Sequence, residues 1–451
     1  MPTFDELLAE LDVRLAETDA ALAIEHERPL PGRQPVHTVY VPADQFSAGL
    51  PARWGTDALA LLDRHASTAE GLAAATGLPL DAVDGALPRV RVKLASEPIE
   101  DLRVDFEDGY GYRDDATEDA HAIAAGEALA ALLGRPGAPF SAGLRVKSME
   151  ARDRRRGVRT LNLLIEALCK ALPDGPELCL QPAEQTTESR LCSQPAEQAT
   201  ESRLHPVLPG RFVVTLPKVS AVAQVAAMLS VVELVERSQH LTIGTIGVEL
   251  QVELPSAVQG ADGVATVAAL VKAAGDRCAG VHYGTYDYSA ACGVAAGFQS
   301  LEHPVADHAK AVMLLAAVGA GVPAVDGSTN VLPVGSNREV LAAWQLHARL
   351  VRRSLERAFY QGWDMHPGHL VTRYLASYVF FREALPAAGA RLGAYLARSS
   401  TGGGVLDEPA TARALAAVIL RGLDCGALSD EEVAAAALDV KQLRRLSRPR
   451  A

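Results

Sequence analysis

The sequence predicts an α/β protein with a (β/α)8 TIM-barrel fold, extended by a helix at the N-terminus and a helical lid at the C-terminus. Short β-like runs alternate with longer Ala/Leu-rich helical runs over most of the 451 residues, which is typical of parallel strands joined by helices. Eight such runs can be counted, the number that a closed barrel requires. No GxGxxG motif follows an early strand, which weighs against a doubly wound open sheet.

Each predicted strand is an apolar run that ends in polar residues, Gly or Pro. Because active sites of such barrels lie at the carboxyl ends of the strands, functional side chains are expected at these polar ends. The predicted strands are VHTVYVPA from Val36, RVDFEDG from Arg103, AGLRVKS from Ala142, FVVTLPKV from Phe212, IGVELQVE from Ile246, AGVHYGTYDY from Ala279, PAVDGS from Pro323 and GWDMHPG from Gly362.

Two regions depart from the alternating pattern. We expect residues 1–35 to form an N-terminal helical extension, residues 36–384 the barrel, and residues 385–451 a helical lid segment. The barrel is interrupted at about 171–210 by a polar direct repeat, QPAEQTTESRLCS and QPAEQATESRLHP, which offers little to bury and predicts a surface insertion. Ser429 and Glu432 have the spacing of a capping box at the start of a last helix.

The composition is that of a globular protein, with 49% hydrophobic and 22% charged residues. A formal net charge of −12 argues against nucleic-acid partners and against docking on anionic membranes. The six cysteines form no CxxC pair, so we expect reduced thiols. The acidic first helix lacks the layout of a signal peptide, and the longest apolar run, AVMLLAAVGAGVPAV, is shorter than the ~20 residues of a membrane span. These features predict a cytoplasmic protein.

Carboxylates follow the second, fifth and sixth predicted strands. Glu107 and Asp108 end RVDFEDG, Glu253 follows the fifth strand, and Asp287 is expected at the end of AGVHYGTYDY, interpreted as one strand. Adjacent parallel strands lie ~4.8 Å apart, so Glu253 and Asp287 should project toward the same mouth. Two such carboxylates disfavour double ionisation unless a cation lies between them, and oxygen ligands suit Mg²⁺. The sequence predicts a magnesium site here; the alternative is a buried salt bridge to Arg145.

Several basic side chains also lie in or near the predicted strands. Arg145 stands in an apolar strand with Lys147 on the same face, and a buried guanidinium needs an anionic partner, either structural or a substrate. For Lys218 the structural interpretation is favoured. His282, on an apolar strand, is interpreted as a core residue with its hydrogen bonds satisfied, and His366 as a residue with a structural hydrogen bond.

Seven segments, in the same order along the chain, resemble the HpcH/HpaI aldolase and citrate lyase β-subunit family of the phosphoenolpyruvate/pyruvate barrel superfamily. The resemblance covers about residues 36 to 420. DFEDG is similar to the family's DxEDxV, LRVKS to VRVN, TLPKV to LPKV, VELP to IET, YGTYDYSAACG to FGxxDxxxxxG and MHPGHL to IHPxQ. VLDEPATARAL resembles the MIDxPxxxxA segment of citramalyl- and malyl-CoA lyases.

The resemblance implies roles for the residues at the strand ends. It makes Glu253 and Asp287 the Mg²⁺ ligands, with Mn²⁺ as an alternative ion and Glu253 also close to the substrate. Arg145 would bind the substrate carboxylate or the developing enolate. Glu107 and Asp108 would hold metal-bound waters close to the substrate. Lys147 stands where the family has Asn, which leaves the substrate open.

The resemblance also implies a lid and an oligomer. Asp407 matches the acidic residue of a C-terminal lid that, in relatives, closes over a neighbouring subunit's site, and the preceding GGG suits a moving segment. A lid shared in this way implies a homo-oligomer, a trimer or hexamer in relatives. Asp407, Glu107 or a metal-bound hydroxide is the candidate general base.

The expected activity is that of a Mg²⁺-dependent carbon–carbon lyase or aldolase. It would cleave or condense a 2-oxo or hydroxy acid, or a hydroxyacyl-CoA thioester, through a metal-stabilised enolate. One alternative is a metal-free aldolase that forms a Schiff base on Lys218 or Lys147. Another is a non-catalytic acyl-binding or assembly subunit built on the same barrel.

Overall fold

The computed structural model describes residues 3–27, 32–172, 211–396 and 408–447. The polar repeat, the SSTGGG segment and Asp407 lie outside these residues, so what the sequence predicts for them stays a prediction. The same holds for the predicted division into an extension, a barrel and a lid.

Within the described residues, eight parallel strands form a nearly closed barrel, as predicted. Hydrogen-bonded neighbours run in the order β7–β6–β5–β4–β3–β2–β1–β8, and a bridge between Val325 and Gln361 links the two outer strands. A strand is present at each of the eight predicted positions. The strands are β1 (His37–Pro42), β2 (Asp101–Asp105), β3 (Ser141–Arg145), β4 (Arg211–Leu216), β5 (Ile246–Val252), β6 (Cys278–Tyr283), β7 (Ala324–Val325) and β8 (Gly362–Asp364).

Helices precede the first strand, connect successive strands and follow the last one. Three helices separate β1 from β2, and α8 with α9 and α10 with α11 form the connections around β6. In chain order they are α1 (Phe4–Glu27), α2 (Leu50–His65), α3 (Ala69–Thr76), α4 (Leu80–Ser96), α5 (Asp115–Leu133), α6 (Arg154–Ala171), α7 (Val222–Ser238), α8 (Pro255–Val258), α9 (Thr266–Ala274), α10 (Thr285–Ala291), α11 (Pro304–Ala320), α12 (Asn337–Glu356), α13 (Pro367–Leu396), α14 (Pro409–Asp424), α15 (Asp430–Ala435) and α16 (Val440–Leu446).

The prediction of one strand through AGVHYGTYDY is wrong in its second half. Strand β6 ends at Tyr283, and helix α10 begins at Thr285. The backbone N–H of Gly284 still donates to Val252 of β5 at 2.9 Å, and the chain then turns. The aromatic residues of this segment are types that favour a strand, but they belong to two elements. Asp287 therefore lies in the first turn of α10 and not at a strand end.

The chain forms two compact units. One comprises Arg33–Phe380 and Cys425–Ala427, and the other comprises Met1–Gly32, Phe381–Asp424 and Leu428–Ala451. In the first, alternate strand residues such as Val104 pack outward against the helices in one apolar core. The second has its own core from α13 to α16, and the predicted capping box at the start of α15 is confirmed. Among the described helices, none is long and apolar enough to cross a membrane.

The interior of the barrel is polar. Arg103 on β2 donates two hydrogen bonds to Glu249 on β5, at 3.0 and 2.7 Å, and because these strands are not neighbours both side chains lie inside. Tyr40 donates to the same carboxylate at 3.0 Å, and His282 Nε2 lies 3.0 Å from it. The interpretation of His282 as a satisfied core residue is confirmed. These buried, hydrogen-bonded side chains fill the inside of the barrel.

Candidate metal centre at the carboxyl ends of the strands

Three carboxylates converge at the mouth of the barrel. Asp108 in the loop after β2, Glu253 after β5 and Asp287 in α10 each place one oxygen within 4.8 Å of the other two. Glu253 is buried, whereas the side chains of Asp108 and Asp287 are 53% and 45% exposed. The structure thus brings together the two residues predicted to hold a metal and adds Asp108, which was predicted to bind the substrate and to hold metal-bound water.

The carboxylate of Glu253 is held by hydrogen bonds to both oxygens. The backbone N–H of Lys218 donates to Oε1 at 2.6 Å, and the Gln251 side-chain amide donates to Oε2 at 3.0 Å. An added Cβ on Gly284 would lie 2.5 Å from the Glu253 Cβ and 2.8 Å from Oε2. Glycine is therefore required where α10 begins, since any larger side chain would displace Glu253.

Asp105 organises the loop that carries two of the acidic residues. Its carboxylate accepts backbone hydrogen bonds from Glu107 at 2.9 Å and from Gly109 at 3.0 Å. It also accepts two hydrogen bonds of 2.7 Å from the guanidinium of Arg145. Because the loop folds around one carboxylate, Glu107 and Asp108 are presented at a fixed place beside the mouth.

Arg145 is buried and its charge already has a partner. Besides the bidentate pair with Asp105, its Nη1 lies 3.5 Å from Glu107, and its guanidinium carbon lies 5.0 Å and 5.2 Å from the ring centres of Tyr40 and Trp363. Within the described part of the chain, Arg145 forms no ion pair with either predicted metal ligand, so the alternative salt bridge is not present. Its role as the substrate cation stays a prediction.

The ammonium group of Lys218 lies among the acidic side chains. Its Nζ is 2.5 Å from Glu107, 2.8 Å from Asp108 and 3.7 Å from Asp287. Sequence reasoning placed Lys218 after β4 and favoured a structural role, but it did not predict these partners. The sequence signal that could have predicted them is the position of Lys218 after β4. Because β4 is the hydrogen-bonded neighbour of β5, a residue after β4 lies close to Glu253 after β5.

Burial shapes the charge of the centre. It raises the pKa of Glu253 to about 8, an effect that Glu107 adds to and that Lys218 opposes. Burial also raises the pKa of Asp287 and of Glu107. Asp108 behaves differently, because hydrogen bonds from Glu107 and Lys218 outweigh its burial and lower its pKa. Carboxylates that resist ionisation together form a site that favours an added cation.

Lys147 and His366 have structural partners. The Lys147 ammonium donates to the carbonyls of Phe106 and Gly111 at 2.5 and 3.1 Å and lies 3.4 Å from Glu118. His366 Nδ1 accepts a hydrogen bond of 3.0 Å from a backbone N–H in the next turn, which confirms its structural interpretation.

A second group with metal-like spacing consists of His347, Asp364 and His369. It is fully buried. Asp364 already receives hydrogen bonds from Arg373, and His347 uses one ring nitrogen toward Thr372 at 2.7 Å and the other toward Asp364 at 3.2 Å. Because these nitrogens and the carboxylate have protein partners and a guanidinium is adjacent, this group is a structural network and not an ion site.

One comparison with a solved structure supports the barrel fold. The fold is similar to that of a citrate lyase from Burkholderia xenovorans LB400, with a TM-score of 0.54 and 18% identity over 90% of this chain and 97% of that one. CitE from Mycobacterium tuberculosis, in complex with magnesium, acetoacetate and coenzyme A, has a TM-score of 0.46 and 18% identity, over 87% of this chain and 98% of that one. Haloferax volcanii malate synthase, in a magnesium/glyoxylate complex, has a TM-score of 0.46 and 12% identity, over 94% of this chain and 100% of that one.

At 18% identity the likeness to the Burkholderia citrate lyase establishes the fold alone, and the resemblance to the HpcH/HpaI family stays a prediction beyond that fold. None of the curated proteins matches the chain. A family model does match, over residues 15–193 and 197–451. Because that match spans most of the sequence, the chain belongs to the family described as "Domain of unknown function (DUF6986)".

Proposed function

We propose that the protein is a Mg²⁺-dependent carbon–carbon lyase or aldolase that cleaves or condenses a 2-oxo or hydroxy acid, or a hydroxyacyl-CoA thioester. The observation that carries the proposal is the convergence of Asp108, Glu253 and Asp287 at the carboxyl ends of the strands, with oxygens within 4.8 Å of one another. In barrels of this kind that face is the site of catalysis.

The donor set fits Mg²⁺. All three groups offer carboxylate oxygens, and Mg²⁺ is usually bound by one or two carboxylates while water and substrate oxygens complete the octahedron. The exposed faces of Asp108 and Asp287 leave room for those ligands. When bound, the ion would supply a Lewis acid that stabilises the negative charge left on the substrate as the carbon–carbon bond breaks. Mn²⁺, which takes the same ligands, is expected to substitute.

Glu107 is the described residue best suited to move a proton. Its buried carboxyl group has a raised pKa, which brings the group closer to the range in which a side chain both accepts and donates protons at neutral pH. Arg145 lies 3.5 Å away, and Lys218 lies 2.5 Å away, so the ionised form is also supported. Asp407 is proposed as the alternative base from the lid.

The Schiff-base alternative receives no support from the contacts of its lysines. A Schiff base requires a neutral amine, but burial of the Lys218 ammonium is outweighed by Glu253 and Glu107, which raise its pKa. The Lys147 ammonium is buried with two carbonyls and a carboxylate as partners. The Lys218 amine is therefore held in the protonated, non-nucleophilic state, and the Lys147 amine is engaged by its protein partners.

The test is a cleavage screen of malyl-CoA, citramalyl-CoA, related thioesters and 4-hydroxy-2-oxo acids. We expect release of pyruvate, glyoxylate or acetyl-CoA in the presence of Mg²⁺, loss of turnover in EDTA, and recovery when Mg²⁺ is restored. Turnover that EDTA does not change would contradict the metal dependence. Tight binding across the panel with no turnover would instead favour the non-catalytic acyl-binding subunit.

A further inference from the structure

The acidic residues at the mouth outnumber the cations available to them. Among the described residues, Glu107, Asp108 and Asp287 lie within 4 Å of one ammonium group, that of Lys218, and Glu253 accepts a hydrogen bond from the backbone N–H of the same residue. Arg145, the other nearby cation, donates two hydrogen bonds of 2.7 Å to Asp105 and lies 3.5 Å from Glu107, but within the described residues it forms no ion pair with the three converging carboxylates. Lys218 is therefore the residue whose charge holds the acidic groups together.

The contacts of Lys218 divide into two sets. Its closest partner is Glu107, at 2.5 Å, which is not one of the three converging carboxylates. Its other contacts, to Asp108 at 2.8 Å and Asp287 at 3.7 Å, are with members of that group. A divalent ion bound by the same oxygens would meet the ammonium at close range, where like charges repel strongly.

The backbone fixes where the ammonium can act. Lys218 has a φ of +49°, a left-handed conformation that is uncommon for residues with a side chain. That conformation points the main-chain N–H at Glu253, to which it donates at 2.6 Å. The same residue thus positions one carboxylate with its backbone and places its ammonium beside three others.

We propose that Lys218 is the internal counter-ion of the metal centre: its ammonium holds Asp108 and Asp287 together in the metal-free protein and leaves them when a divalent ion binds. It retains Glu107, its closest partner, in both states. Lys218 is thus a positioning residue that competes with the ion, and the inference rests on the metal centre proposed above.

The experiment measures Mg²⁺ binding by titration calorimetry and thermal unfolding in EDTA, on the full chain and its variants. Lys218→Met removes the competing charge, so we expect Mg²⁺ affinity to rise by about tenfold or more and the metal-free variant to unfold at a lower temperature. Lys218→Arg, which keeps the charge, should bind Mg²⁺ as the wild type does. Lys272→Met, at an exposed position on α9, is the matched control and should change neither quantity.

The outcomes separate this inference from the proposed function. Equal or weaker Mg²⁺ binding by Lys218→Met would overturn the counter-ion role and leave the metal centre intact. If Lys218→Met binds Mg²⁺ and the wild type does not, the result would directly support competition between the Lys218 ammonium and the ion. If neither protein binds Mg²⁺, the metal centre is wrong and the counter-ion role fails with it. Should Lys218→Met fail to fold, Lys218→Gln provides the same comparison, because it is also neutral.

Discussion

Each carboxylate in the centre has a different electrostatic environment. Glu253 is buried and accepts hydrogen bonds from a backbone N–H and an amide, neither of which carries a full charge. Asp287 is half exposed and its nearest cation lies 3.7 Å away. Asp108 is half exposed and only 2.8 Å from the same ammonium. These differences predict how the protein responds to substitution and to pH.

Asp287→Asn keeps the shape of the side chain and removes its charge. We expect it to weaken Mg²⁺ binding by about 10- to 100-fold, because an amide is a poorer ligand than a carboxylate and the centre loses one of three acidic groups. The thermal midpoint in EDTA should not fall, since the lost charge repels its neighbours. Calorimetry and melting curves provide both readings, with Asp84→Asn, exposed on α4, as the control. Unchanged Mg²⁺ affinity would remove Asp287 from the centre.

Mg²⁺ binding should depend on pH through Glu253. Its pKa is raised to about 8, so at neutral pH the ion must displace a proton, and affinity should fall about tenfold for each pH unit below about 8. The raised pKa stabilises the metal-free fold at low pH, and that stabilisation is lost as the pH rises through about 8. Calorimetry in buffers of different ionisation enthalpy counts the released protons. Affinity that is constant from pH 6.5 to 9 would contradict the assignment.

At the scale of the elements, the centre depends on how closely α10 approaches β5. Gly284 separates β6 from α10, and the space that its Cβ would need is filled by Glu253. Asp287 reaches the mouth because the chain turns into a helix at this point. A continuous strand would have carried the carboxylate away from Glu253.

Gly284→Ala tests this packing. We expect a loss of about 1–3 kcal/mol in the free energy of unfolding, because the new methyl group overlaps Glu253, and Mg²⁺ binding weakened by about tenfold or more, because a ligand is displaced. Gly393→Ala, within α13 with open space around its Cβ, is the control. Urea denaturation measures the change in stability, and calorimetry measures Mg²⁺ binding. Mg²⁺ binding equal to that of the wild type would show that the added methyl group does not displace Glu253.

The sequence predicts an element correctly where a single apolar run forms one strand. The prediction fails where one apolar run is divided between a strand and a helix. The strands were predictable because apolar runs such as FVVTL are bounded by turn residues and buried between helices. Helix α10 was missed because Tyr283 and Tyr286, on either side of Gly284, favour a strand by residue type, although they are three residues apart, a spacing typical of a helix. The contacts of Lys218 were not predictable, since they depend on the conformation of the loops after β2 and β4.

At the scale of the whole molecule, a buried network of neutral imidazoles links the end of the barrel to its outer helices. His347 on α12 and His369 on α13 stack with their ring centres 4.5 Å apart. Burial lowers the pKa of both, that of His369 to about 3. Two adjacent imidazoles whose pKa values burial lowers in the folded state make the fold sensitive to acid.

Stability should therefore fall in mild acid. The folded pKa of His369 lies below its unfolded value of 6.5, so its contribution is complete above that value and is lost as the pH falls below it. Between pH 6.5 and 5 we expect a loss of about 2 kcal/mol from this group. Urea denaturation at both pH values measures it; His369→Gln should reduce the loss, and His308→Gln, exposed on α11, should not. An equal loss in His369→Gln would contradict the assignment.

The central claim is that Glu253 and Asp287, with Asp108, bind one divalent ion at the mouth of the barrel. The most direct measurement is a crystal structure in Mn²⁺ with anomalous diffraction data. The claim predicts one anomalous peak in contact with carboxylate oxygens of Glu253 and Asp287, with the Lys218 ammonium withdrawn from Asp287. A map with no peak there and with the ammonium still between the carboxylates would contradict it.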